Sequence, residues 1–266
     1  MNKSIVYFSL FLSLFALISC KSNDSETKNP KDSIESTVPD NVEISYEEYA
    51  AEINADDSLL IANSMFYTNE AGESVKVILF FRQVGDSSEL VKMQELMVKD
   101  PSGVISTNEF YYKAGKKTIS RQFFPESEGD SLYFVELSSF YNNDEKVLIT
   151  KRRTSPWEEL LHQETYTKVA NKACRDDRAF SVVNQEGNFE TTFQGFVDMN
   201  PYLYLLVGEN KKEGYTSALI VQSRTNVVRQ LQANESEMIG TPLVVNFDVI
   251  QEGPSEQQIL LGVDFK

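Results

Sequence analysis

Apart from carboxylates, this chain has few of the side chains that usually serve in catalysis or metal binding. The sequence holds one histidine, His162, and two cysteines, Cys20 and Cys174, against 40 aspartates and glutamates. One imidazole and two thiols leave little for a multi-histidine metal site or a histidine-assisted nucleophile. Serine-hydrolase, P-loop and zinc-protease motifs are absent from the sequence. We therefore expect no metal, no cofactor and no catalytic residue that the sequence alone can name.

The charge balance argues against nucleic acid as a partner. Acidic residues outnumber basic ones 40 to 25, which gives a formal net charge of -15. Proteins that bind phosphate backbones concentrate lysine and arginine instead. The hydrophobic content of 41% is enough for a packed core, so the chain is not a wholly disordered segment.

The N-terminus reads MNKSIVYFSLFLSLFALISC, with Lys3 ahead of an apolar run from Ile5 to Ile18. This layout is typical of a secretory signal, the alternative being an uncleaved anchor helix. Leu17-Ile18-Ser19-Cys20 resembles the bacterial lipobox, which implies removal of residues 1–19 and lipidation of Cys20. Because Lys21 follows in place of an aspartate, we expect an outer-membrane lipoprotein, with the periplasmic or surface face left open.

Four regions are expected from the pattern of residues. A signal peptide spans 1–19, and a polar, Ser/Asn/Asp-rich tether spans 20–42. Residues 43–174 are expected to form an antiparallel β-meander domain with flanking helices, and residues 175–266 a small OB-like β-barrel domain. With Cys20 lipidated, Cys174 has no partner for a disulfide in the chain, and a small buried residue is favoured there over a reactive thiol.

Three similar segments predict the meander. Each has an aromatic pair, a polar turn and a β-prone stretch, and they start at Phe66-Tyr67, Phe110-Tyr111 and Phe140-Tyr141. Capping boxes predict a helix that starts at Ser45 and a second helix over about 156–171.

The last 80 or so residues predict five strands that suit a small barrel. These strands are expected at 189–197, 202–207, 217–222, 243–250 and 258–265. A short helix in the polar stretch from about 229 would cap the barrel. The overall fold class expected is mainly β with a few helices (α+β), an antiparallel curved sheet followed by a small five-stranded β-barrel.

These patterns resemble uncharacterised Bacteroidetes-type envelope lipoproteins with tyrosine-rich β-hairpins and a C-terminal OB-like barrel. The hairpins over about 60–155 carry the first likeness, and the segment from Gly195-Phe196 to Ile239-Gly240-Thr241-Pro242-Leu243 carries the second. The resemblance implies location and architecture, and it transfers no activity. Three Asp-Ser-aliphatic tripeptides look like O-glycosylation acceptors of that phylum, with the candidate residues Ser33, Ser58 and Ser131.

The sequence thus predicts a lipid-anchored cell-envelope protein that acts as a non-enzymatic binding or scaffold module. Its expected partners are the membrane, through the N-terminal lipid, and an envelope protein or a glycan. Two alternatives from other classes stay open. One is a carbohydrate-active enzyme that uses two close carboxylates in a deep pocket. The other is a sequestrant or inhibitor of cationic host proteins, which the acidic charge would favour.

Overall fold

The computed structural model describes residues 40–98, 105–129, 131–253 and 255–266. The protein is mostly β with a few helices, as the sequence predicts. The described residues belong to one compact unit. In the described ranges, no helix is long and apolar enough to cross a membrane.

Fourteen strands and a few helices follow one another along the described chain. In order, they are α1 (Asp40–Ala55), β1 (Leu60–Asn63), β2 (Tyr67–Thr68), β3 (Ser74–Val84), β4 (Ser87–Val98), β5 (Ile105–Lys113), β6 (Lys116–Glu128), β7 (Ser131–Tyr141), β8 (Val147–Ser155), a 3₁₀ helix (Glu158–Gln163), β9 (Thr167–Val169), α2 (Asp177–Asn184), a second 3₁₀ helix (Gly187–Phe189), β10 (Thr192–Met199), β11 (Tyr202–Gly208), β12 (Thr216–Val221), α3 (Asn226–Ala233), α4 (Glu235–Met238), β13 (Leu243–Glu252) and β14 (Ser255–Phe265).

An antiparallel meander forms the larger part of the sheet, because strands β2 to β9 pair in chain order. The three aromatic segments predicted as hairpins are confirmed, since they enter the β2–β3, β5–β6 and β7–β8 pairs. The β5–β6 turn shows why its residues suit a hairpin. Ala114 and Gly115 both have positive φ, 51° and 72°, the handedness that matches the twist of the flanking strands.

The five predicted C-terminal strands are also present, as β10 to β14. They do not stand apart as the expected small closed barrel, which the described residues do not show. Instead, β12 pairs with β2 through Thr216 and Thr68, and this joins both regions into one large mixed sheet that is not closed. At the start of β13, Thr192 of β10 forms an isolated bridge with Pro242, and the Leu243 amide donates a hydrogen bond of 2.8 Å to the Thr191 carbonyl oxygen.

Two helix predictions need correction. Helix α1 begins at Asp40, ahead of the capping box at Ser45. The helix expected over 156–171 is wrong, because the chain forms the 3₁₀ helix Glu158–Gln163 and then strand β9. Only Leu161 of that 3₁₀ helix is buried, so the segment lacks the apolar face that would stabilise a longer helix against the sheet. The following residues, Thr167–Val169, instead pair with β8 as an edge strand.

The hydrophobic core has two parts. A large cluster contains Tyr67 and Phe110 of the meander together with Phe193, Leu205 and Leu243 of the last strands, so it joins both sides of the boundary expected near residue 175. A smaller cluster lies beneath α1, where Ala50 and Ile53 meet sheet residues that include Tyr111 and Phe140. Helix α1 therefore covers part of one face of the meander.

Candidate functional site

A cavity of about 430 Å³ lies where the meander meets the last five strands. Its walls come from four places in the chain: the segment around β2, strand β3, the β11–β12 pair and the arms of the β13–β14 hairpin. We call this cavity the aromatic cleft. It brings together residues that are far apart in sequence, and its volume lies in the range that is usual for small-molecule sites.

One ion pair lies in the wall of the aromatic cleft. The Lys76 ammonium lies 2.5 Å from a Glu256 carboxylate oxygen, and the side chains are 9% and 51% exposed. Lys76 is thus an almost buried cation on β3, with its partner carboxylate half in solvent. Because each charge is neutralised by the other, the wall presents polar groups without a net local charge.

Gln258 fixes the junction between β14, the β2 segment and β12. Its side-chain oxygen accepts a hydrogen bond of 2.8 Å from the Phe66 amide, and its amide nitrogen donates to the Ser217 hydroxyl at 3.0 Å. The same nitrogen lies 3.3 Å from the Ala218 carbonyl oxygen. A side chain held by several partners keeps its position without a ligand, which reduces the entropy that binding must overcome.

Two aromatic side chains line the cleft. Phe66 is 45% exposed, and Tyr204 of β11 is partly exposed and packs edge-on against Tyr202 at a centroid distance of 6.4 Å. Aromatic faces beside fixed amide and hydroxyl groups are the chemistry that binds a flat, partly apolar ligand that also carries hydrogen-bonding groups.

The buried carboxylates of the described chain lie elsewhere and are ion-paired. Glu95 and Glu136 are each 1% exposed. Arg178 of α2 donates two hydrogen bonds to Glu95, of 2.6 and 2.9 Å, and Arg153 donates one of 2.6 Å to Glu136. Each carboxylate is thus already paired with an arginine. In the aromatic cleft the carboxylate among the lining residues is Glu256, so this cleft does not offer the two close carboxylates of a glycoside hydrolase.

The residues singled out by the sequence do not gather at this cleft. Cys20 and Ser33 lie outside the described residues. Ser58 is exposed in the turn after α1, where its hydroxyl donates to Asp56, and Ser131 is exposed at the start of β7. Their glycosylation stays a prediction.

His162 and Cys174 are also remote from the cleft lining. His162 is exposed on the 3₁₀ helix, and its backbone oxygen accepts from Arg153. Cys174 is 5% exposed and is a free thiol. Burial raises the pKa of the Cys174 thiol to about 12, which keeps it protonated and unreactive at neutral pH.

Sequence reasoning missed Lys76, Glu256, Gln258 and Tyr204 as site residues. One local signal was present, because Lys76 interrupts the β-branched run of β3 between Val75 and Val77. A cation in a buried stretch needs a partner. That partner, Glu256, is 180 residues away, so no spacing rule could have found it.

Two further observations bear on identity. Within the described ranges, no group of three or more His, Cys, Asp or Glu side chains is placed to hold a metal ion. Searches against protein-family models, curated proteins and solved structures found no match.

Proposed function

We propose that this protein is a lipid-anchored, non-enzymatic binding module of the bacterial cell envelope, and that its aromatic cleft binds an uncharged, polyhydroxylated ligand such as part of a glycan. The anchoring half of the proposal rests on the lipobox-like residues that end at Cys20. The binding half rests on one arrangement in the cleft: Tyr204 and Phe66 as aromatic walls around the fixed amide of Gln258 and the closed Lys76–Glu256 pair.

The order of the last five strands supports the proposal. We propose that they form an OB-type unit, in the order β10-β11-β12-β14-β13. The first to third strands pair antiparallel in sequence, the third and fifth pair parallel, and the fourth and fifth pair antiparallel. Helices α3 and α4 lie between the third and fourth strands. The aromatic cleft lies against the second and third strands, the face on which OB folds bind oligosaccharides or oligonucleotides.

The net charge of the chain and the paired lysine in the cleft favour a sugar over an oligonucleotide as the ligand. The chain carries a net charge of -15, and the cationic side chain in the cleft lining, Lys76, is already paired with Glu256. Single-stranded nucleic acid needs a positive groove along its backbone. A neutral ligand has no such need, because stacking on an aromatic ring and hydrogen bonds to amide and hydroxyl groups can hold it.

The binding half is tested by screening soluble envelope oligosaccharides against the chain and its Tyr204→Ala variant by calorimetry. Removing the ring should raise the Kd of the best-binding oligosaccharide by about tenfold or more, since loss of an aromatic stacking partner costs about 1–3 kcal/mol. The matched control is Tyr133→Ala on β7, a partly exposed tyrosine that does not line the cleft. Equal loss in both variants, or no oligosaccharide binding by the parent chain, would refute the cleft as a sugar site.

The anchoring half has its own test. Cells that express the full chain or the Cys20→Ala variant are labelled with an alkyne-bearing fatty acid and then fractionated. Label and outer-membrane recovery should depend on Cys20. A crosslinking pull-down from the same envelopes tests for a partner protein that is recovered only with the lipidated form. Unlabelled protein with an intact Cys20 would contradict lipidation.

A further inference from the structure

A second cavity, of about 280 Å³, opens on the meander. Its walls are mostly apolar and include Leu96, Ile105, Phe123, Pro125, Phe134 and Leu161. We call this cavity the apolar groove. Ile105 is 59% exposed, so hydrocarbon surface is accessible here on a strand that is otherwise well packed.

Strand register places the two cavities side by side on one face of the sheet. Directly paired residues project from the same face. Lys76, in the wall of the aromatic cleft, is the direct partner of Leu96, in the wall of the apolar groove. From Leu96 the same row continues through Thr107 to Phe123. The cleft and the groove therefore meet at the Lys76–Leu96 pair.

The register also runs back into the cleft on the same face. Ser74, two residues before Lys76, pairs with Thr68, and Thr68 pairs with Thr216 of β12. Thr68 and Thr216 both line the cleft. At its far end the row passes from Phe123 to Glu136, which Arg153 holds in an ion pair. The continuous surface is thus polar and aromatic at one end, apolar in its middle, and closed by a buried ion pair at the other end.

The length of the apolar part matches one hydrocarbon chain. From β4, which carries Leu96, to β7, which carries Phe134, there are three strand steps, or about 14 Å at about 4.8 Å a step. Half of the hydrocarbon core of a bilayer, the depth that one acyl chain fills, is about 15 Å. The groove can therefore take a single chain along its length, at right angles to the strands.

We propose that the cleft and the groove together bind a single-chain glycolipid, with its sugar headgroup in the aromatic cleft and its acyl chain in the apolar groove. The inference deepens the proposed function and rests on it for the headgroup. The Lys76–Glu256 pair favours an uncharged headgroup over a phosphate or a free fatty acid, because an anion would have to compete with Glu256 for the ammonium. Leu96 and Phe123 supply the hydrocarbon contacts that a soluble sugar would leave unused.

The test uses alkyl maltosides of 8, 10 and 12 carbons, below their micelle concentrations, with free maltose for comparison. Calorimetry on the full chain carrying Cys20→Ala should show Kd falling about tenfold for each two carbons added, since a buried methylene contributes about 0.8 kcal/mol. Trp157, the one tryptophan of the sequence, precedes the groove residue Glu158, so its fluorescence gives a second readout.

Two variants test whether the alkyl chain of the ligand lies in the apolar groove. Phe123→Gln and the surface change Ile105→Gln should flatten the dependence on chain length while leaving the affinity for free maltose nearly unchanged. Ile105 is exposed enough for its variant to fold if Phe123→Gln does not. The control is Val84→Gln, at a similarly exposed apolar residue that ends β3 and lies outside both cavities. Its chain-length dependence should match that of the parent chain.

The outcomes separate this inference from the proposed function. Binding of maltose and all three maltosides with one affinity would overturn the glycolipid inference and leave the sugar site intact. Equal affinity for sugar-free alkyl sulfobetaines of the same lengths would overturn the sugar headgroup and, with it, the binding half of the proposed function. Binding by the Cys20→Ala chain but not by the lipidated chain would show that the protein's own acyl chain occupies the groove, and the external glycolipid would be ruled out.

Discussion

The meander and the last five strands bury different kinds of side chain. The buried charged residues of the described chain are Lys76, Lys92, Glu95, Lys117 and Glu136, all in the meander. After residue 175, the buried polar side chains among the described residues are the uncharged Thr191, Thr192 and Ser217. The meander is therefore stabilised in part by ion pairs, and the C-terminal strands by apolar packing.

The meander needs these ion pairs because its sheet has two faces and few elements to cover them. Glu95 lies in a register row with Asn108, Gln122 and Leu137. Glu136 precedes Leu137 and therefore projects from the opposite face. On the first face, Arg178 binds Glu95 and attaches α2.

On the opposite face of the meander, Arg121 bonds to Glu47 and attaches α1 to the sheet. Arg121 also lies 3.9 Å from the Glu136 carboxylate. Charged contacts of this kind fix the position of a covering helix on the meander. In the C-terminal strands, packing in the shared apolar core has this role.

The largest effect is expected where a buried charge loses its partner. Glu136→Ala leaves Arg153 and Arg121, whose side chains are 17% and 16% exposed, without the carboxylate between them. We expect a loss of about 3–5 kcal/mol in the free energy of unfolding, measured with urea. The matched control is Glu126→Ala, which removes an exposed pair with Arg152 and should cost about 0–1 kcal/mol. Similar losses in the two variants would contradict the role given to burial.

A somewhat smaller loss is expected from the apolar region. Leu219 of β12 is fully buried in the shared core, so Leu219→Ala should cost about 3 kcal/mol through lost burial and the cavity it leaves. Leu261→Ala on β14 serves as the control, because that side chain is 65% exposed and its loss should fall within about 0.5 kcal/mol. The cost of Leu219→Ala should also be insensitive to salt. A strong salt dependence of this cost would contradict the assignment of apolar packing, rather than ion pairs, to the C-terminal strands.

The smallest effect concerns the thiol where the two regions meet. Burial raises the pKa of Cys174 to about 12, whereas a thiol in an unfolded chain titrates near about 8.5. Between these values the folded protein keeps a proton that the unfolded chain has released, so stability is complete below about pH 8.5 and falls as the pH rises toward 12.

Between pH 8.5 and 10.5, this thiol should account for a loss of about 2 kcal/mol in the free energy of unfolding. Urea unfolding at both values, for the parent chain and Cys174→Ala, isolates its share, since other titrating groups act in both proteins. The variant should show the shallower decline. Parallel declines would mean that the thiol ionises equally in the folded and unfolded chains.

Local patterns predicted much of the strand content. Alternating aromatic and β-branched residues around Gly and Asn turns placed the hairpins at Phe66, Phe110 and Phe140, and the five C-terminal strands close to their observed bounds. The pattern failed over 156–171, where a capping box was present but one buried residue, Leu161, could not hold a helix against pairing with β8. Cap signals are local, and an open strand edge nearby competes with them.

The sequence by itself determined the β character of the chain, its acidic charge and the lipobox-like motif at Cys20, because composition, period-two alternation and short motifs are local properties. The tertiary structure alone decided that β2 pairs with β12, that Glu256 meets Lys76 across 180 residues, and that Lys76 on β3 pairs with Leu96 on β4. Such contacts depend on which strands become neighbours, and that is set by packing of the whole core rather than by any segment alone.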